Sequence, residues 1–296
     1  EAPLGKDVAQ EVLSKLFQQV VGEEVANLGF DYVNGTRATL EPLRELLDRY
    51  TDDFMPDLHV EWDDISIDTL LAQNDLETRW KFNIPTLCTV VEGVNAGHLV
   101  EIGARSNVGK TSFHASMIAS PKGFAAQGAN CMVLCNEEGS PRVGARYLQA
   151  CTGMSLMQIK ENPKAAWDMY GKIRDNIFLK DVTGKDMGWV ESVCKSYKPD
   201  IVVLDMGDKF ATTQGFARTD EALKANVVYA RQIAKMYECA MFYMSQLSAE
   251  AEGKIQLNQA MMEGSRTGKA AEADLMILIA KNPPVEGVNG EEESTQ

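Results

Sequence analysis

No stretch of these 296 residues stays apolar for the roughly 20 positions that a membrane-crossing helix needs, and no secretion-signal pattern opens the chain. No membrane partner is therefore expected, and a cytoplasmic location is. The first residue is Glu1 and not Met, so a fragment or a trimmed chain is expected. Cysteine is sparse and lacks any CxxC pair: Cys88, Cys131, Cys135, Cys151, Cys194 and Cys239 sit mostly in apolar segments, the pattern of reduced core thiols and not of a disulfide frame or zinc site. Only three histidines occur (His59, His98, His114), too scattered for a metal cluster. Positive charge is in deficit, 29 Lys and Arg against 43 Asp and Glu, for a net charge of -14. Such a chain has no general attraction for nucleic acid, so any contact of that kind must come from a local basic patch. Repeats and low-complexity segments are also absent, apart from a polar tail over 286–296. What remains, 45% hydrophobic and 24% charged, suits a globular protein of one large domain or one and a half.

Against that background one string stands out. Residues 104–111 read ARSNVGKT, after an apolar run over 98–103 and before a helix-compatible segment starting at Ser112. A strand, a glycine-bearing loop and a helix in that order form a phosphate-binding loop. Backbone N–H groups cradle the phosphates, an ammonium reaches the terminal ones, and a hydroxyl ligates magnesium. Gly109, Lys110 and Thr111 supply these needs, and Ala104, Arg105, Ser106, Asn107, Val108 and Ser112 complete the expected nucleotide-binding set. The string departs from the usual pattern once: Ala104 stands where the first glycine is expected, and Gly103 comes one residue early.

The sequence changes character near residue 80. Before it, Val8, Val12, Leu13, Leu16, Phe17 and Val20 form an apolar stripe at helical spacing, and Leu40, Leu43, Leu46, Leu47 and Tyr50 form a second. An acidic connector follows over 52–64. Residues 1–80 are thus expected to be a helical region, either a cap on its own core or an arm packing on a neighbouring subunit. From 81 to 296, short apolar runs (99–103, 131–135, 177–179, 201–204, 241–244, 275–279) alternate with helix-length segments (110–120, 141–151, 164–174, 187–197, 219–237). The expectation is an α/β domain with a mostly parallel, helix-covered sheet and ligands at the carboxyl ends of its strands.

Several strand ends carry the polar residues that such a site needs. The run 200–205 closes on Asp205, the expected support for magnesium, with Asp208 a competitor placed in the following loop. The run 131–135 leads into Asn136-Glu137-Glu138, where Glu137, nearer the strand, is the candidate base for orienting water. The run 241–246 delivers Gln246 to a strand tip, where an amide can sense the terminal phosphate. A stretch over 248–269 then carries Lys254, Arg266 and Lys269 and no aromatic residue, which suits a mobile loop tracking a nucleic-acid backbone without stacking on bases.

Together these residues resemble the RecA-like motor domain of ring-shaped replicative DNA helicases, the DnaB group and the related bacteriophage primase-helicases. The early glycine belongs to the resemblance, since DnaB-type loops commonly read GARPxMGKT and this chain reads GARSNVGKT over 103–111. A lead-in over 82–97, Arg146 after the glutamates, Ser245-Gln246-Leu247 and the segment 264–274 follow in the family's order, so the likeness spans 82–281. It implies a RecA-like core binding ATP, or another NTP or dNTP, with Mg2+. It also implies a hexameric ring on single-stranded DNA, with primase, polymerase or a loader as partners, in a bacterium or in the host cytoplasm of a phage. Lys110, Glu137 and Gln246 would be catalytic, Thr111 and Asp205 would hold the metal, and Lys254, Arg266 and Lys269 would meet DNA. The family's arginine finger lies beyond the aspartate segment, where this chain shows only an acidic tail, and no primase or zinc-ribbon pattern is present. A RecA-like recombinase filament and a KaiC-like regulatory ATPase without DNA are the alternatives.

Overall fold

The computed structural model describes residues 6–36, 39–46, 78–212, 218–264 and 266–282, with short strands at Val285–Glu286 and Glu292–Glu293. Side chains are described from residue 19 onward, except for 266, 267 and those last two strands. The chain forms two compact units, Glu1–Asn74 and Asp75–Gln296, whereas the change of sequence character is at 80. In the first unit, helix α1 (Lys6–Val33) buries Val21 and leaves Val20 and Phe30 exposed. The stripe from Val8 to Phe17 falls outside the described side chains, and Leu47 and Tyr50 outside the described residues. In the second stripe Leu46 is buried and Leu40 exposed.

The second unit opens with a two-stranded antiparallel pair, β1 (Trp80–Lys81) and β2 (Gly93–Val94), enclosing α2 (Pro85–Val91). Its core alternates strands and helices: β3 (Leu99–Ala104), α3 (Lys110–Ala119), β4 (Cys131–Cys135), α4 (Ser140–Thr152), α5 (Leu156–Glu161) and α6 (Pro163–Tyr170). After these come β5 (Ile177–Asp181), α7 (Met187–Tyr197), β6 (Ile201–Asp205), α8 (Thr219–Met236), β7 (Ala240–Gln246), α9 (Arg266–Glu272) and β8 (Leu275–Ile279). The six strands β3 to β8 make one parallel sheet in the order β5-β4-β6-β7-β3-β8. This is the α/β architecture expected from the alternation of apolar runs.

Period-two side-chain alternation explains why the strands read as continuous apolar runs. In β6, Ile201 and Val203 join one buried cluster with Val143 and Tyr147 of α4 and Met117 of α3, while Val202 and Leu204 join another with Val190 of α7 and Val227 and Ile233 of α8. Both faces are therefore dry. Leu247, Ala251, Met261 and Met262 form a third, smaller cluster at the strand tips.

Three elements depart from the sequence expectation. Helix α5 begins with a capping box, in which the Ser155 hydroxyl accepts from the Gln158 amide while the Gln158 side chain accepts from the Ser155 amide, a signature present in the sequence but too short to show periodicity. Helix α6 stops at Tyr170, and a 3-10 turn over Arg174–Asn176 ends the segment expected to be helical to 174. The stretch 248–269 is not an open loop. It makes 3-10 turns at Ala249–Ala251 and Gln259–Met261, bridges Leu247 to Met262 and passes into α9, because its own apolar residues build the third cluster.

Sheet register brings the site together. Gln246 lies beside Ala104 at the joined tips of β7 and β3, and Asp205 lies beside Cys135 at those of β6 and β4. The chain leaves β3 and re-enters the sheet at β4, passing over β7 and β6. A crevice at the carboxyl ends beside such a crossover is where open α/β sheets bind ligands.

Candidate functional site

Gly103, the early glycine, lies inside β3 and not in the loop. A Cβ there would stand 2.7 Å from Met262 Sδ and 2.9 Å from both Leu247 Cδ2 and Leu278 Cδ2, so glycine lets the third cluster close over the strand without displacing those side-chain ends. The loop proper starts at Arg105. It passes through Asn107 at φ 61° and Gly109 at φ 114°, a left-handed value that L side chains resist, which lets the chain turn tightly into α3.

Lys110 opens α3, and its buried ammonium donates to the Ala104 carbonyl at 3.3 Å, folding back across the loop. Burial pulls its pKa down, against the pull of Glu137 and Asp205. Thr111 follows in the same turn, half-buried. Asp205 ends β6 with only 1% of its surface exposed, and neither carboxylate oxygen has a hydrogen-bond partner. Burial, reinforced by the nearby Glu137 carboxylate, raises its pKa to about 6. A buried, unsatisfied carboxylate is costly unless something cationic or protic meets it, so the site fits a magnesium ion with its water shell. Behind Asp205, His114 Nε2 stands 3.9 Å away, while His114 Nδ1 and Tyr147 Oη share a hydrogen bond of 2.8 Å. Burial holds the imidazole down to a pKa of about 3, so it is neutral.

The two glutamates divide. Glu137 remains partly exposed and meets Lys209 Nζ at 3.3 Å. Glu138 is clasped by Arg146 at 2.9 Å and Arg142 at 3.3 Å, both on α4. Both face the loop residues Ser106, Asn107, Gly109, Lys110 and Thr111 across one cleft of about 450 Å³. Gln246, at the end of β7, donates from Nε2 to Ser106 Oγ at 3.0 Å, which ties this strand tip to the phosphate loop. Arg105 leans the other way, bonding the Leu247 carbonyl at 2.9 Å and Glu252 at 2.8 Å.

The candidates for nucleic-acid contact fare differently. Lys254 is exposed. The side chain of Arg266 lies outside the described residues. Lys269 contradicts its expected role: it has no exposed surface, and its ammonium meets Asp208 Oδ1 at 2.6 Å and Ser245 Oγ at 2.9 Å. It serves the interior because α9 turns this position toward β7, and a lysine tally carries no sign of that. Asp208, in the 3-10 turn Gly207–Lys209, is thereby committed to Lys269. Lys209, His114 and Tyr147 were invisible as site residues, since nothing in the sequence near each one announces its partner.

A phosphate loop, a buried acid at the neighbouring strand end and a glutamate pair across the cleft describe many nucleotide hydrolases; the family is decided by the match to the DnaB-like helicase C-terminal domain over residues 81–294. The chain belongs to that family. The DnaB-like domain is accordingly a helicase-type motor of NTPase character. Among solved structures, it is similar to a DnaB-like replicative helicase described with its interactions with primase, at 18% identity and a TM-score of 0.61, over 96% of this chain and 71% of that one. It is also similar to a second protein solved as its ATPase domain, at 18% identity and a TM-score of 0.63, over 79% of this chain and 88% of that one. Those likenesses bear out the RecA-like fold. No curated protein matches in sequence. Among the described residues, no helix is long and apolar enough to cross a membrane.

Proposed function

We propose that the DnaB-like domain hydrolyses ATP to drive a hexameric ring along single-stranded DNA, unwinding duplex as it moves. The observation that carries this reading is the Gln246–Ser106 hydrogen bond, which connects the phosphate loop to the strand tip from which the 248–264 segment departs. In this reading the loop amides, Lys110 and Ser112 hold the phosphates, and Thr111 and Asp205 hold the magnesium. The ion supplies charge neutralisation at the phosphates. Glu137 orients the attacking water, and Lys209 holds the glutamate until the cleft fills. Gln246 passes the state of the terminal phosphate to the 248–264 segment, where Lys254, with Arg266 beyond it, meets the DNA backbone.

The test is hydrolysis by the purified protein with and without single-stranded DNA, together with negative-stain images in nucleotide. Stimulation by DNA and closed six-fold rings are expected. Helical filaments would move the assignment to a recombinase, and indifference to every nucleic acid would move it to a regulatory ATPase.

A further inference from the structure

The interior of the sheet holds a charge cluster that hydrolysis does not use. Glu101, in the middle of β3, is fully buried, and neither of its oxygens has a hydrogen-bond partner. The Ser245 hydroxyl is near enough to ease that burial, but it is engaged with Lys269 at 2.9 Å and with Asp208 at 3.3 Å. Tyr243, on the same face of β7, sets its ring under the Lys269 ammonium at 6.0 Å. It also packs against Gly207, where a Cβ would stand 2.6 Å from the ring. Two elements thus hold the ammonium that α9 carries: β7, through Ser245 and Tyr243, and the turn after β6, through Asp208.

Burying an ammonium and two carboxyl groups costs several kcal/mol per ion before pairing, and an apolar trio would fill the same volume without that cost. The groups also form a succession of contacts. Ser106 of the phosphate loop receives the Gln246 amide, the Gln246 backbone N–H donates to Asp208 at 3.4 Å, Asp208 pairs with Lys269, and Lys269 is carried by the helix that closes the 248–264 segment. We propose that Lys269 is a positioning residue that locks α9 to the tips of β6 and β7, so that the 248–264 segment moves with the nucleotide-sensing strand and not independently of it. Glu101 lies beside this chain of contacts as a buried carboxyl without a hydrogen bond, and burial pushes its pKa up to about 8.

This inference rests on the proposed motor function, but its test does not need DNA. Hydrogen exchange of residues 248–264 is measured on the full chain with and without a saturating non-hydrolysable ATP analogue and magnesium. The protein as it stands is compared with Lys269→Met/Asp208→Asn, which removes both charges together. Nucleotide is expected to change exchange in the 248–264 segment of the unaltered protein by about fivefold or more, and that response is expected to vanish in the double variant at equal nucleotide occupancy. Lys269→Met alone should melt at a lower temperature than the double variant, because it strands the Asp208 carboxylate. A 248–264 segment that responds equally in both proteins, or in neither, overturns the proposal, as does a single variant no less stable than the double. Failure of single-stranded DNA to stimulate hydrolysis by the unaltered protein would instead overturn the motor reading and leave the exchange result standing.

Discussion

The side-chain amide of Gln246 spans from the tip of β7 to the hydroxyl of Ser106 in the phosphate loop, at 3.0 Å. Parallel pairing of β7 with β3, which sets Gln246 opposite Ala104, brings its side chain within reach of Ser106 two residues further along the loop. Replacing Gln246 with Ala is expected to leave nucleotide affinity within about threefold while DNA stimulation of hydrolysis drops by about tenfold, a coupling of ordinary size between two sites. Steady-state hydrolysis over a DNA titration reads both quantities. Stimulation of normal size in the variant would remove Gln246 from the relay.

Hydrolysis itself should depend on Lys110 and on one glutamate more than the other. Lys110→Ala is expected to lower turnover by at least about a hundredfold, the usual cost of removing a preorganised charge at the reacting centre. Glu137→Gln should cost about a hundred- to ten-thousandfold in kcat with nucleotide still bound, the range of a lost general base. Glu138→Gln should do less to turnover and more to stability, since Arg142 and Arg146 both lose their partner. Single-turnover rates of the two glutamate variants decide the matter, and the reverse order would move the base to Glu138.

A pH experiment isolates Glu101. Its pKa is raised from 4.5 to about 8 in the folded chain, first by burial, with Lys269 and Ser245 pulling the other way and Asp208 adding to the rise. Between those values the folded state holds a proton that the unfolded state has released, so this group's stabilising contribution is present at low pH and is lost as pH rises through the folded pKa. The whole window is worth on the order of 5 kcal/mol. Glu101→Gln should therefore flatten the fall in unfolding free energy between pH 5 and pH 8. Urea unfolding at several pH values measures the slope, and equal slopes in the two proteins would show that Glu101 does not hold the proton.

Gly103→Ala tests the early glycine. The added methyl group meets Met262, Leu247 and Leu278, whose side-chain ends must shift, at a cost of about 1–3 kcal/mol. Because the strand carries the phosphate loop on its end, nucleotide affinity should fall as well. Thermal melting with and without nucleotide separates the two effects; an unchanged melting temperature would mean that the cluster yields without cost.

Much of this protein could be read from its sequence because its signals are local. Glycine, lysine and threonine over 109–111, between an apolar run and a helix-compatible segment, announce the phosphate loop, and runs such as Ile201 to Asp205 announce buried strands because both of their faces are covered. The capping box at Ser155 was equally local, but it starts a helix too short to show a repeat. Lys269 misled for the opposite reason. Its neighbours in sequence are those of an exposed, basic stretch, whereas its partners lie 61 and 24 positions away.

What the sequence determined alone was the alternation of the six core strands with their longer helices, the phosphate loop, and the chemical kind of residue delivered to each strand end, since these depend on contacts within a few positions along the chain. Only the tertiary structure decided which ends meet. Strand order brought Gln246 to Ser106 and Asp205 to His114, divided the duties of Glu137 and Glu138, and turned Lys269 inward to Asp208. Pairing across a sheet is fixed by the burial of whole faces, and the local chain carries no record of the charges it will meet there.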